Sequence, residues 1–222
     1  MEYKIRKYEP RDRERVRWIC CETGFMGEPM EKFFIGRDVF ADMWTSYWTD
    51  YEPESTFVAE VDGLVVGYLL GCLDTERQER IFTQKIQGKL LRDYFTKGVF
   101  FSWQNWRYIR RVARSWRRGE FNDPMSKVKP EYPAHLHTNI APPEYRGKGM
   151  GKALMEAYFA YLRENKIRGV HLVTSSRNKI ALKLYYRMGF KDLFRGPLTC
   201  YDHVTSEPMK KIGLGLKLNP GV

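Results

Sequence analysis

Residues 146–153 read Arg146-Gly147-Lys148-Gly149-Met150-Gly151-Lys152-Ala153. Ahead of them, residues 134–140 (AHLHTNI) alternate as a strand and end at Pro142-Pro143. Behind them a helical pattern runs from about 148 to 164, with Ala153, Leu154, Ala157, Tyr158 and Tyr161 on its inner face. The stretch is therefore a glycine-rich turn from strand into helix. Its three glycines let the backbone come close to a ligand, and the amides of Gly147 to Lys152 open the positive end of a helix. Arg146, Lys148 and Lys152 add charge, so a pyrophosphate fits this place. The spacing is neither G-x-G-x-x-G with its downstream acidic residue nor G-x-x-x-x-G-K-[ST], which argues against a dinucleotide fingerprint and a P-loop. A turn that holds no ligand is the plain alternative.

Working outward, residues 3–8 read as a strand. Helices follow from Pro10 and over 38–51. Phe57–Val61, Asp62-Gly63 and Leu64–Leu73 form a hairpin whose turn suits positive φ angles. Gly169 is expected to cap the helix and lead into a strand over 170–174. Asn178 opens another helix to Met188, and Phe190–Arg195 and Tyr201 onward read as strands. The order β-α-α-β-β, insertion, β-α-β-α-β-β predicts an α/β fold, a central twisted mixed sheet flanked by helices. Residues 74–130 form a helical insertion after the third strand, with helices near 75–96 and 103–118, closed by Asn122-Asp123-Pro124. The chain, 1–222, is expected to be a single domain.

A second motif lies downstream. Asn178, Ala181, Leu184, Tyr185, Gly189 and Phe190 match N-x-x-A-x-x-[LF]-Y-x-x-x-G-F, and Arg146, Gly149 and Gly151 match [RQ]-x-x-G-x-[GA]. Together they resemble the GNAT superfamily of acetyl-CoA-dependent N-acetyltransferases, strongly over 134–195. The run PAHLHTNI also resembles the acetyltransferase-like domain of O-GlcNAcase and its bacterial relatives. One departure from the GNAT pattern is the doubled proline after Ala141, where the family carries one.

The resemblance implies acetyl-CoA as cofactor, a GNAT fold, and transfer to a primary amine of a small molecule or protein. Such a transfer needs a neutral amine, a stabilised carbonyl oxygen and a protonated leaving thiolate. The resemblance assigns the thiolate's proton to Tyr185, whose alternative is an aromatic core residue. It assigns the carbonyl to a backbone amide near Asn139, Ile140 or Ala141, where the same stretch would bind pantetheine like an added strand. Asn178 and Ala181 would lie by the cofactor arm, with a helix N-cap as the other role for Asn178. For the base, His135 and His137 share one face of their strand. A histidine near its usual pKa suits the task, and a packed sheet histidine is the alternative. Glu60 is a third candidate.

The 222 residues are 43% hydrophobic and 29% charged, an ordinary globular composition. The longest nearly apolar run, Leu64–Leu73, is about half a membrane helix. With no signal peptide or Cys-x-x-Cys spacing, the expected location is cytoplasmic, the four thiols are expected to be free, and no metal is expected. The net charge of +11 predicts an anionic partner. Residues 74–130 carry 14 Lys and Arg against 6 Asp and Glu. Within them Arg107, Arg110, Arg111, Arg114, Arg117 and Arg118 form one helical stripe, beside an expected inner stripe of Ile109, Val112, Ala113 and Trp116. RNA, anionic lipid, an acidic partner and a merely solvated face are the readings of that stripe. Phe100, Phe101, Trp103 and Trp106 are expected to line an acceptor pocket. The rival function is a catalytically weak GNAT-fold binding module that holds RNA or a protein through the stripe. Monomer and homodimer are both compatible with the sequence.

Overall fold

The computed structural model describes residues 1–122 and 125–218. Strands β1 (Lys4–Lys7), β2 (Thr56–Val61), β3 (Leu64–Cys72), β4 (Ala134–Ile140), β5 (Gly169–Ser175), β6 (Lys191–Pro197) and β7 (Lys210–Lys217) form one sheet in the order β1-β2-β3-β4-β5-β7-β6. All neighbours are antiparallel except β4 and β5. The β2–β3 turn takes positive φ at Asp62 and Gly63, 49° and 78°, as a two-residue hairpin requires.

Helices cover both faces. On one, α1 (Arg13–Thr23) and α2 (Arg37–Asp50) bury Val16, Ile19, Phe40 and Tyr47 against Val58, Tyr68 and Leu70. On the other, α7 (Met150–Glu164) and α8 (Lys179–Arg187) bury Leu154, Tyr158 and Tyr185 against Leu69, Leu136 and Leu172. Alternation along β3 and β4 assigns His135, His137 and Asn139 to the first core's side and Leu136 and Ile140 to the second.

Between β3 and β4 lie α3 (Thr75–Ile81), a π turn at Phe82–Ile86, α4 (Gln87–Thr96), α5 (Trp103–Arg117) and α6 (Met125–Val128). The first expected helix is thus interrupted, and its wider turn keeps Ile81, Phe82 and Ile86 against the first core. Asp123 and Pro124, which the sequence reads as part of the closing break, lie outside the described residues.

Three expectations need correction. Gly169 does not cap α7; Lys166 takes the left-handed position at φ 57°, and Gly169 is a β5 residue whose Cβ would sit 2.5 Å from the Glu131 carbonyl. The last strand starts at Lys210, after a 3-10 turn at Thr199–Tyr201. Its Gly213 and Gly215, which weaken the strand signal, are needed because Phe194 and Tyr132 lie across them, 2.1 Å and 2.8 Å from where a Cβ would be.

The third concerns α5. Its inner face carries Asn105 and Ser115, both fully buried, with Tyr108 and Val112 half-buried between them. Asn105 accepts from Ile35 N at 2.7 Å and donates to the Ile35 and Val99 carbonyls at 2.8 Å each. Ser115 Oγ meets Thr199 Oγ1 at 3.0 Å. Paired in this way, the polar side chains cost little to bury. Trp116 and Ala113, expected inside, face out, and so do Phe101, Trp103 and Trp106, while Phe100 is half-buried. These aromatics do not line an enclosed acceptor pocket.

Candidate active site

The parallel pairing of β4 with β5 covers only Ala134↔Val170 and His135↔His171. Beyond it β5 continues alongside β7, while β4 runs to Ile140 beside β3 alone. The sheet opens here, and the second edge of β4 carries unpaired backbone groups. Ala141 N donates to Val66 O at 3.0 Å, so alternation turns the N–H of Asn139 and Ala141 toward β3 and those of Thr138 and Ile140 into the opening. Of the three expected amides, Ile140 faces the gap. Thr138, which the sequence reading passed over, joins it, and the alternation was the signal that could have found it.

At the end of β4 the glycine turn folds back. Gly147 and Gly149 have φ of 75° and 89°, left-handed angles that only glycine adopts freely. Gly149 is the N-cap of α7 and supplies no side-chain cap, so the first-turn amides at Met150, Gly151 and Lys152 are open to an anion. The Met150 side chain is fully buried, leaving its backbone as the part that can reach a ligand. A Cβ on Gly151 would lie 3.3 Å from Leu184 and 3.8 Å from Ile140, so the turn, the end of β4 and α8 converge at that point.

The three basic residues differ in their employment. Arg146 Nε donates to Ile140 O at 2.8 Å and Nη2 to Gly27 O at 2.7 Å, which staples the turn to β4 and to the 25–28 loop; burial lowers its pKa. Lys152 pairs with Glu156 at 3.2 Å on the surface. Lys148 is exposed with no ion pair among the described residues.

On α8, Tyr185 is 6% exposed, and burial pushes its phenol up to about 12. Its ring packs on Phe190 at 5.8 Å. Among the described residues the hydroxyl has no hydrogen-bond partner, and burial alone accounts for its raised pKa. Asn178 stands at the N-cap position without a side-chain cap bond, which leaves its amide available, and Ala181 is half-buried against the second core.

The histidines sit among aromatics. His135 is buried, its Nδ1 3.0 Å from both Cys72 Sγ and Thr75 Oγ1 and its ring 5.6 Å from Trp48. His137 is half-buried, 5.2 Å from Trp48 and 5.9 Å from the exposed Trp44. Burial, then mutual repulsion within the cluster that includes His171, holds His135 well below the ordinary histidine value and brings His137 to about 4. Neither has the near-neutral pKa that the sequence reading assumed. Glu60 is tied to Arg6 at 2.7 Å on β2 and is two strands away from β4. Among the described residues no cluster of His, Cys, Asp or Glu could hold a metal, all four cysteines are unpaired and buried, and no helix is long and apolar enough to cross a membrane.

Residues 24–190 match the Acetyltransferase (GNAT) family. The fold is similar to that of SsHAT, with a TM-score of 0.70 at 26% identity over 99% of this chain and 100% of that one. It is also similar to yncA of Salmonella typhimurium, solved with its cofactor acetyl-CoA, with a TM-score of 0.58 at 13% identity over 100% of this chain and 97% of that one. An uncharacterized N-acetyltransferase of Methanocaldococcus jannaschii is 31% identical over 68 residues, 31% of this chain and 30% of the relative. A mycothiol acetyltransferase of Pseudarthrobacter chlorophenolicus is 34% identical over 82 residues, 33% of this chain and 25% of the relative. The chain thus spans less than a third of these two relatives. The family's acetyl donor is acetyl-CoA, and an uncapped helix start beside an unpaired strand edge fits its pyrophosphate and its amide-bearing arm. The chain belongs to the acetyltransferase (GNAT) family.

Proposed function

We propose that this chain transfers the acetyl group of acetyl-CoA to a primary amine, carried by a small molecule or a protein. The observation that carries the reading is the opening between β4 and β5 beside the uncapped start of α7. When bound, acetyl-CoA supplies an activated thioester carbonyl to the incoming nitrogen. The amides of Gly147 to Lys152 hold the phosphates, with Lys148 adding charge from the surface. Thr138 and Ile140 offer edge amides to the arm and to the carbonyl oxygen. Asn178 and Ala181 flank the arm from α8. Tyr185 keeps its proton at neutral pH and donates it to sulfur as the carbon–sulfur bond breaks. His137, reached past Trp44, accepts a hydrogen bond from the amine and orients its lone pair. At a pKa of about 4 it is too weak a base to deprotonate an ammonium ion, so the amine enters already neutral, from its equilibrium with bulk solvent, and the proton its nitrogen loses on forming the amide bond passes through solvent to restore the Tyr185 phenol. His135 supports His137 from behind as a packed sheet histidine. The reading treats 1–222 as one domain, because residues 103–120 bond to both the Ile35 loop and Thr199.

Titration calorimetry with CoA, followed by acetyl-CoA turnover across a panel of amines, tests the reading. Gly151→Trp fills the point where the turn meets Ile140 and Leu184 and is expected to abolish CoA binding; Lys148→Glu, on the surface, is expected to weaken it without touching the fold. Undiminished affinity in both variants removes the turn from the reading. CoA binding with no turnover on any amine selects the binding module instead.

A further inference from the structure

We propose that the outer face of α5, with the aromatic tip that precedes it, docks the protein on an anionic lipid surface. The patch is contiguous. Phe95 at the end of α4 meets Phe100 at 5.4 Å, Phe100 meets Phe101 at 3.9 Å, and Trp103 then opens α5. Phe101 is 78% exposed, Trp103 73% and Leu91, one turn before Phe95, 60%. Along α5 the helical period places Trp103, Trp106, Arg107, Arg110, Arg114 and Arg117 opposite the buried Asn105 and Ser115, and all six are exposed. Among the described residues no carboxylate pairs with Arg107, Arg110, Arg111, Arg114 or Arg117, whereas Arg6, Arg13, Arg17, Arg37 and Arg195 elsewhere each have an acidic partner.

Charge and chemistry together choose the occupant. A second copy of the chain would set these arginines against their own images. A single-stranded nucleic acid would suit the arginines and the free tryptophan rings, but it would leave Leu91, Phe95 and Phe101 in water, and Phe100 and Phe101 already spend their faces on each other. An anionic bilayer takes the whole set. Phenylalanine, leucine and tryptophan enter the boundary between headgroups and acyl chains, and arginines meet the headgroups. A helix of 15 residues lies about 22 Å along the surface with its inner face still bonded to the body.

The experiment is co-sedimentation of the full chain with vesicles of phosphatidylcholine alone and of phosphatidylcholine mixed with phosphatidylglycerol. Binding is expected only to the mixed vesicles, weakening as salt rises, with a blue shift of tryptophan emission. Arg110→Gln, Arg114→Gln and Arg117→Gln together are expected to lower the partition coefficient on the order of 100-fold, at about one order-of-magnitude step or less per arginine. Phe101→Ser with Trp103→Ser is expected to lose most of the blue shift. All five positions are exposed, and unchanged melting temperatures show that the fold is intact. Equal binding to both vesicles, no vesicle binding, or salt-sensitive binding of a single-stranded oligonucleotide without vesicle binding overturns the proposal.

Discussion

The body around the glycine turn and the 74–130 segment obey different rules. In α1 and α7 of the body, apolar spacing predicts burial: Val16, Ile19, Leu154 and Tyr158 are sealed in where the sequence turns them inward. In α5, two polar residues lie inside and three tryptophans outside. The difference is one of partners. An asparagine with three backbone bonds can be buried for little. Helical periodicity therefore says that α5 has two faces. The arginine stripe faces out as the periodicity suggests, and the tertiary neighbours decide which residues of the other face are sealed in.

The largest effect expected lies in the body. Tyr185→Phe should lower kcat by about 10²–10⁴-fold while leaving acetyl-CoA affinity nearly unchanged, because the hydroxyl acts as the thiolate departs. Equal kcat under conditions where chemistry is rate-limiting makes Tyr185 a core aromatic, and the body then loses its claim to catalysis.

Next comes the joint between the two regions. Glu52 is fully buried and accepts from Tyr47 Oη at 2.5 Å, Ser55 Oγ at 2.7 Å, Leu73 N at 2.8 Å and Arg77 Nη1 at 3.2 Å. It ties α2 and the end of β3 to α3, the first helix of the segment. Glu52→Ala leaves these donors unpaired and should cost about 3–5 kcal/mol in urea unfolding. A loss under about 1 kcal/mol would mean that the segment hangs on the body more loosely than its bonds imply.

Asn105→Ala and Trp116→Ala test directly which side chains of α5 are sealed in. The first should cost about 1–3 kcal/mol and the second under about 0.5 kcal/mol, measured by the same unfolding curves. The reverse order would restore the burial of Trp116 that periodicity alone suggests.

The smallest effect is in pH dependence. His135, His137 and His171 have folded pKa values below the unfolded value, so the fold prefers them neutral. Their contribution to stability is complete above pH 6.5 and is lost as pH falls from there toward about 4, where His137 titrates in the folded state. The melting temperature should decline across that window, and His137→Gln should flatten part of the decline. The same placement predicts that turnover rises as the ammonium form of the amine loses its proton and shows no inflection near pH 6.5; such an inflection would make His137 a base with an ordinary pKa.

How much was legible varies by residue. The turn at 146–151 and the Asn178–Phe190 motif could be read because backbone geometry forces particular residue types at fixed spacings. Only glycine takes φ of 89° freely at 149, and only a small residue fits between Leu184 and Ile140 at 151. The positions of β2, β3 and β4 followed from alternation and from the Asp-Gly turn. Lys148 and Arg146 look alike in sequence, yet one is free at the surface and the other is bound to two carbonyls, because the 25–28 loop happens to pass within reach. His135 and His137 look like bases until burial among Trp44, Trp48 and His171 lowers both.

The sequence by itself determined the order of elements, the hairpin, the glycine turn into α7 and the excess of positive charge between β3 and β4. Those features depend on contacts close along the chain, or on residue types that no neighbour can replace. Only the tertiary structure decided where β4 leaves β5, which of its amides face the gap, which residues of α5 are sealed in, and whether a histidine is basic. Each of these depends on groups brought together from distant parts of the chain, whose desolvation and hydrogen bonding outweigh the preference any residue carries alone.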